Sequence, residues 1–172
     1  MSCQAGGGRR VSAVVSTERP QLRAMRESDL PHVLAVENSA YEFPWTLGIF
    51  RDCLRVGYHC CVFETAAGRI IGHGVMSVAA GECHILNVCI RPDWQRQGLG
   101  AEMVEHLCQI AHRKGARMAL LEVRASNAVA YRVYTRLGFD EVGTRHNYYP
   151  AQHGRENAII LARELQASGA SA

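Results

Sequence analysis

The stretch VCIRPDWQRQGLGAEMVEHL, residues 88–107, joins an apolar run to a segment with helical periodicity, and it decides the fold. Leu99, Met103 and Leu107 recur every four residues, which predicts a core-facing helix that begins beside Gly98. Gly98 and Gly100 carry no side chain, so the backbone there can approach a ligand closely. The free amides of a first helical turn attract anions, so this loop is a candidate phosphate site.

The same loop lacks the residues of two common nucleotide-binding loops. No Lys-Ser/Thr pair follows Gly100, as a loop for nucleoside triphosphates requires, and no third glycine stands at dinucleotide-binding spacing. A nucleotide kinase is therefore disfavoured. Taken alone the loop fits a tight turn whose glycines serve packing, whereas its place between a strand and a helix favours a phosphate site.

A strand, helix and strand over residues 83–123 surround this loop. The apolar run RMALLEV, residues 117–123, follows a helix stop at Lys114-Gly115. The connection is long enough to place the two strands parallel, and open sheets bind ligands where such strand ends meet the next helix. Glu122, near the end of the second strand, is predicted to face this edge.

The remaining segments predict a mixed fold. A short strand over 21–25 precedes two helices, the first capped by Ser28 or Asp29 and the second by Thr46. Three β-rich runs then form an antiparallel meander, whose middle run contains Gly72 and Gly74 that weaken or bend it.

After residue 123 come a helix and two closing strands. The helix is predicted over 126–138, capped by Ser126 and ended by Gly138. The order predicts an α/β (α+β) fold with a mixed, mostly antiparallel sheet of six or seven strands, four helices and a parallel central pair. We expect one domain over 20–165, with flexible tails over 1–19 and 166–172.

Bulk composition excludes several classes of protein. Of the 172 residues, 48% are hydrophobic and 20% charged, which argues against a disordered or fibrous chain. The net charge of +3 is too small and dispersed to predict direct nucleic-acid binding. The apolar stretch at the N-terminus is too short for a signal peptide, and no segment is predicted to span a membrane.

The cysteines indicate a reducing environment and no metal. Seven cysteines, an odd number without a Cys-x-x-Cys pair, lie mostly in apolar runs, which predicts reduced core cysteines and a cytoplasmic location. A zinc site of Cys83 with His84 or His73 is disfavoured, because neighbours on a strand point to opposite faces and no second ligand pair has suitable spacing. We expect no metal.

Five motifs in order resemble the GNAT N-acetyltransferases. They are FPW (43–45), QRQGLG (95–100), LEVRASN (121–127), LGF (137–139) and the pair RHNYYP and GRENAIIL (145–161). Within that family the combination is similar to the RimI type, the ribosomal-protein-alanine N-acetyltransferases, over about residues 20–163. Five motifs in order are much more specific than a lone Gly-x-Gly.

The resemblance implies acetyl-coenzyme A as co-substrate. It implies that loop residues bind the pyrophosphate and that a strand backbone pairs with the pantetheine arm. It also implies that a residue at a helix start makes a further hydrogen bond to the cofactor. For the pyrophosphate the residues are Arg96, Gln97, Gly98, Leu99, Gly100 and Ala101; for pantetheine, the backbone of Val88, Cys89 and Ile90; and Asn127 for the further bond. A Cys89 nucleophile is disfavoured because no His/Asp relay is spaced for it.

The resemblance also implies two catalytic residues, Glu122 as general base and Tyr134 as general acid toward the departing thiolate. A carboxylate at the end of an apolar strand is costly unless solvated or paired, so an ion pair with Arg124 is the alternative for Glu122. The spacing of Tyr134 on its helix, taken alone, predicts a core tyrosine.

Aromatic loop residues are the substrate-binding candidates. Phe43, Trp45, Tyr148 and Tyr149 can frame a slot for an extended peptide end, or can simply cover a small core. Glu37 and Glu42 are possible partners for a basic substrate side chain, with solvated or helix-face carboxylates as the alternative.

The implied activity is acetyl transfer to a protein N-terminal α-amine, by direct transfer in a ternary complex. By the resemblance, the acceptor is the N-terminal alanine of the eighteenth small-subunit ribosomal protein. The alternatives are a lysine or small-amine acetyltransferase, or a non-catalytic acetyl-coenzyme A-binding partner module. The only expected partner is the substrate protein, with no nucleic acid or membrane.

Overall fold

The computed structural model describes residues 19–166. Apart from residues 19 and 166, the tails predicted at either end lie outside the described residues, so the domain boundaries stay a prediction. Strands and helices alternate irregularly along the chain. The strands are β1 (Gln21–Ala24), β2 (His59–Glu64), β3 (Ile70–Ala79), β4 (Glu82–Ile90), β5 (Met118–Arg124), β6 (Asp140–Ala151) and β7 (Gly154–Glu164). The helices are α1 (Leu30–Ala40), α2 (Leu47–Arg55), α3 (Leu99–Arg113) and α4 (Ala128–Arg136).

All seven strands form one sheet in the order β1-β2-β3-β4-β5-β7-β6. Strands β2, β3 and β4 make the predicted antiparallel meander, β1 adds to it antiparallel to β2, and β4 and β5 are the predicted parallel pair. Strand β7 inserts between β5 and β6 and runs antiparallel to both. The predicted mixed fold with its parallel central pair is therefore confirmed.

The parallel pair is short, and its end shapes the molecule. Pairing of β4 with β5 stops at Ile85 and Leu121, although β5 stays paired with β7 as far as Arg124. The register of β4 against β3 shifts at the same point, where Val75 pairs with Asn87 but Met76 pairs with Ile85. The extra residue is a β-bulge, and bulges bend a strand. Beyond it β4 and β5 separate.

Helices cover both faces of the sheet because the strands alternate between two cores. In β2, Cys61 and Phe63 belong to the core under α3, whereas Cys60 and Val62 belong to the core under α1 and α2. Alternate side chains of a strand point to opposite faces, so a strand of continuous apolar residues predicts burial on both sides.

Helix ends follow the predicted signals, with one correction. Thr46 caps α2, its hydroxyl accepting a hydrogen bond from the Ile49 amide at 3.4 Å. The predicted cap of α4 was Ser126, but the structure has Asn127 in that position, with Oδ1 3.0 Å from the Ala130 nitrogen. Serine and asparagine cap helices equally well, so adjacent candidates are not separable by residue type.

The two glycines of β3 make room for neighbouring side chains. A Cβ on Gly74 would lie 2.7 Å from Met103 Sδ and 3.2 Å from Leu107 Cδ1, both on α3. A Cβ on Gly72 would lie 2.6 Å from Ile90 Cδ1. These glycines therefore let α3 and the end of β4 pack directly on β3, which strand propensity alone does not reveal.

We expect Gly74→Ala to lower the free energy of unfolding by about 1–3 kcal/mol, because the added methyl overpacks the contact between β3 and α3. Chemical denaturation of the purified protein measures the change. Gly143→Ala is the matched control, since a Cβ on that strand glycine would lie 3.6 Å from Ile160 Cδ1, an ordinary contact. Equal effects of the two substitutions would contradict the packing role of Gly74.

Candidate active site

A cavity of about 820 Å³ occupies the space where β4 and β5 separate. Residues 85–88 of β4 and 121–124 of β5 form two of its walls. The start of α4, the connection between α1 and α2, and the hairpin between β6 and β7 close the others. The volume lies at the upper end of the range for small-molecule sites, so the cavity can accept large substrates.

Glu122 lines this cavity from β5. Its side chain is 25% exposed, while its neighbours Leu121 and Val123 are buried. One carboxylate oxygen lies 2.5 Å from Nε of Arg145 on β6. The alternative of an ion pair with a nearby arginine such as Arg124 is thus met by Arg145. Arg124 itself binds Glu156 at 2.7 Å.

Tyr134 lines the same cavity from α4. Its ring packs edge-on against Phe139 with centroids 6.1 Å apart, so the side chain also serves the core, as its spacing predicted. Burial raises the pKa of the Tyr134 hydroxyl to about 12. The phenol is therefore protonated throughout the neutral pH range and can donate a proton, but it cannot act as a base there.

The separated end of β4 turns carbonyl oxygens away from β3. The Tyr41 hydroxyl donates to the Val88 carbonyl at 2.6 Å, and the Gln95 amide donates to the Ile90 carbonyl at 2.8 Å. Backbone groups of alternate residues share a side of a strand, so Val88 and Ile90 present theirs opposite to β3. Tyr41 also lines the cavity, although sequence reasoning did not identify it.

Cys89, between these two residues, faces the other way. Its thiol is buried with Sγ 3.9 Å from the Val36 carbonyl on α1, and it does not line the cavity. Burial raises the pKa of the thiol, and the nearby Glu37 carboxylate raises it further. A thiol held protonated and turned from the cavity is a poor nucleophile.

Glu37 is the largest departure from sequence reasoning at this site. A solvated or helix-face carboxylate was the expected alternative, but the residue is only 1% exposed. Oε1 accepts from the Trp45 amide at 2.9 Å and from Asn87 Nδ2 at 3.1 Å, and Oε2 lies 3.1 Å from Nε2 of His73. Glu37 thus fixes the α1–α2 connection against β3 and β4. Both Glu37 and Glu42 line the cavity, but Glu42 is exposed.

Three of the four predicted substrate-binding aromatics line the cavity, namely Phe43, Trp45 and Tyr149. Tyr148 lies outside that lining, with its ring 5.0 Å from the ring of Tyr149. The Arg124 guanidinium stacks 4.4 Å from the Tyr149 ring centroid and 5.5 Å from that of Phe43. A cation between two aromatic rings holds the α1–α2 connection against β6, and no local sequence signal indicated it.

The predicted phosphate loop follows the end of β4. Arg96 and Gly98 both have positive φ, at 62° and 81°, and Gly98 is the N-cap of α3 without a side-chain bond to the helix amides. A non-glycine residue in this conformation is uncommon and often marks a functional turn. Successive amides in such a turn point the same way and form an anion-binding concavity.

Asn127 lies on the cavity wall, with its Oδ1 engaged in capping α4. A contact from this side chain to a cofactor would therefore use the hydrogens on Nδ2. Four features thus follow one another along a single edge of the sheet. They are the predicted phosphate loop, the separated end of β4, Glu122 and Tyr134.

Comparison with known proteins agrees with this arrangement. A family model described as the acetyltransferase (GNAT) family matches residues 19–139. The chain is 38% identical over 142 residues to the [ribosomal protein bS18]-alanine N-acetyltransferase of Escherichia coli strain K12, covering 82% of this chain and 95% of that protein.

Two solved structures are similar in fold. The crystal structure of the ribosomal-protein-S18-alanine N-acetyltransferase from Escherichia coli superposes with a TM-score of 0.80 at 35% identity, covering 89% of this chain and 98% of that one. A protein from Salmonella typhimurium solved with its cofactor acetyl-CoA gives 0.72 at 17% identity, covering 90% and 99%. The chain belongs to the GNAT family of acetyltransferases.

Proposed function

We propose that this acetyltransferase moves the acetyl group of acetyl-coenzyme A to the N-terminal α-amine of a protein, namely the N-terminal alanine of ribosomal protein bS18. The similarity to the Escherichia coli enzyme, over 95% of that protein, supports the acceptor. The observation that carries the chemistry is that Glu122 and Tyr134 line one cavity, where β4 has left β5. The domain responsible spans residues 20–165.

The donor binds along the edge that the structure leaves open. Amides of Arg96–Ala101 hold the pyrophosphate at the start of α3, helped by the helix dipole. The pantetheine arm lies beside β4 like an added strand and forms hydrogen bonds with backbone groups of Val88 and Ile90. Cys89 is the backbone link between these two residues. The Asn127 amide contributes a further hydrogen bond, and no residue of this set requires a metal.

The acceptor enters beside the aromatic loops. Phe43, Trp45 and Tyr149 line the slot, and Tyr148 flanks it, so an extended peptide end can lie between them. Because a free α-amino group has a pKa of about 7.7–8.0, a carboxylate can accept its proton, directly or through one water. Glu122 accepts that proton once its ion pair with Arg145 opens. Arg145 is 56% exposed, and exposed ion pairs contribute little stability.

Transfer then proceeds without an enzyme-bound acetyl group. The neutral amine attacks the thioester carbonyl, backbone N–H groups of β4 stabilise the oxyanion, and Tyr134 gives its proton to the sulfur as the C–S bond breaks. The nitrogen releases its extra proton as the amide forms, and Tyr134 regains a proton from solvent. The retention of both Glu122 and Tyr134 in one cavity favours catalysis over a non-catalytic binding module.

Within residues 19–166 no helix is both long and apolar enough to cross a membrane. We place the proposed reaction in the cytoplasm.

Glu122→Gln should lower kcat by about 10²–10⁴-fold, because the amide cannot accept the amine proton. Steady-state kinetics with an Ala-starting peptide measures it, and acetyl-coenzyme A should still raise the melting temperature of the variant. Glu82→Gln, an exposed carboxylate at the opposite end of β4, is the control. Unchanged turnover in Glu122→Gln would exclude Glu122 as the base.

Tyr134→Phe should lower kcat by about 10²-fold or more while the KM for both substrates changes little, because only the donated proton is lost. Tyr131→Phe is the matched control on the same helix, since its hydroxyl binds Glu141 at 3.3 Å and does not line the cavity. If both variants retain full turnover, another group reprotonates the thiolate.

A peptide panel separates the acceptor classes. A peptide with a free N-terminal alanine and the bS18 sequence should be acetylated, whereas the same peptide with a blocked N-terminus and an internal lysine should not. Acetylation of the blocked peptide would instead identify a lysine acetyltransferase. Intact-mass analysis of ribosomal proteins from cells lacking this chain should show bS18 lighter by one acetyl group.

A further inference from the structure

A second group of chemically active side chains lies away from the cavity, between β2 and α3. One ligand atom each of His59, Cys61 and His106 lies within 4.8 Å of the others. His59 and Cys61 stand two residues apart on β2, so their side chains share the face that α3 covers. His106 reaches them from α3. None of the three lines the active-site cavity.

A fourth soft ligand adjoins this group. Sδ of Met103, one turn before His106 on α3, lies 3.3 Å from Sγ of Cys61. Two imidazoles and a thiol are therefore grouped together, and a thioether lies against the thiol. Soft sulfur ligands select thiophilic metals, and imidazole binds the same ions well.

An independent observation points to a missing ligand. Nε2 of His59 is buried and has no hydrogen-bond partner among residues 19–166. Buried polar atoms in proteins are nearly always paired, so an unpaired ring nitrogen on a member of this cluster requires an account. A bound metal ion supplies one.

Charge decides between the thiophilic ions. Arg113 and Lys114 lie near His59 at the end of α3, and Glu102 lies near His106. Cu⁺ bound to one thiolate is neutral overall, whereas Zn²⁺ bound to one thiolate leaves a positive charge beside two cations in a largely buried place. Uncompensated buried charge is costly, so the surroundings favour the monovalent ion.

We propose that His59, Cys61 and His106 form a site for Cu⁺, with Met103 as a weaker fourth ligand. Binding replaces the thiol proton of Cys61, which passes to solvent, and requires no oxidant or reductant. Metal–ligand bonds of roughly 2.0–2.3 Å place ligand atoms within about 4 Å of one another, so the cluster closes by less than about 1 Å. The imidazoles of His59 and His106 are only half-buried and can rotate to do so.

The site ties β2 to the helix whose first turn holds the phosphate loop. A metal there constrains α3 seven residues beyond its start at Leu99. The group is distinct from the Cys83 and His84 combination considered from the sequence, whose side chains point to opposite faces.

The test is an anaerobic titration of the full-length protein with Cu⁺, buffered by a chromophoric chelator. We expect one Cu⁺ per chain and a rise in melting temperature. Cys61→Ala and His106→Gln should each weaken binding by about 100-fold or more, since loss of even outer partners costs about 10–100-fold. Circular dichroism of both variants establishes that they are folded.

Cys83→Ala is the matched control. Cys83 is another buried thiol with Sγ 3.4 Å from a methionine sulfur, that of Met76, yet it belongs to no metal-ligand cluster within the described chain. That variant should bind Cu⁺ as the parent does. Loss of binding in Cys83→Ala equal to that in Cys61→Ala would overturn the assignment.

Met103→Leu and a parallel Zn²⁺ titration identify the ion. The thioether is a ligand for Cu⁺ and not for Zn²⁺, so Met103→Leu should weaken Cu⁺ binding and leave any Zn²⁺ binding unchanged. The proposal is wrong if the protein does not bind one Cu⁺ per chain. It is also wrong if Cys61→Ala and His106→Gln leave the affinity for Cu⁺ unchanged. Tighter binding of Zn²⁺ than of Cu⁺ to the parent protein would overturn the choice of ion.

Discussion

The separation of β4 from β5 is the constraint on which the rest of the structure depends. A parallel pair that continued past Ile85 and Leu121 would satisfy its own backbone groups and leave no cavity. The bulge at Leu86 bends β4 away, and the groups it releases need other partners. Tyr41 and Gln95 supply two of them, at the Val88 and Ile90 carbonyls. An incoming donor can therefore exchange hydrogen bonds with side chains and need not break a strand pair.

Two carboxylates near the separated end of β4 have opposite environments, and this difference leaves one of them available for catalysis. Glu37 is fully buried and is bound by a backbone amide, an asparagine amide and a histidine, so it is committed to holding the α1–α2 connection. Glu122 is partly exposed on the cavity wall, and its partner is a mostly exposed arginine on β6, two strands away in the sheet. Because a partly solvated pair gives up little when it opens, one carboxylate can be structural while the other is available for chemistry.

Local sequence patterns predicted the helices and strands, which depend mainly on interactions between residues close in sequence. The four-residue spacing of Leu99, Met103 and Leu107 predicted α3, and every strand of the sheet was predicted, β5 from its apolar run and β1 from alternation. Spatial pairs were the weak point, since the contact of Tyr41 with Val88 spans 47 residues. The burial of Glu37 arises from partners in three separate elements, and a helix-face carboxylate carries no sign of them. Caps were predicted to within one residue, because serine and asparagine side chains satisfy the same amides.

The burial that protects Tyr134 also bears on whether it can act as the acid in the proposed reaction. A phenol whose pKa is about 12 would be a poor donor to a solvated thiolate, whose thiol has a pKa near ~8.5. Burial is the largest cause that raises thiol pKa values in this protein, and Cys60, Cys61 and Cys83 all reach about 12. A coenzyme A sulfur whose hydration is displaced by the bound substrates would experience a rise in the same direction. Donor and acceptor would then be matched, so proton transfer can accompany C–S cleavage without a large free-energy cost.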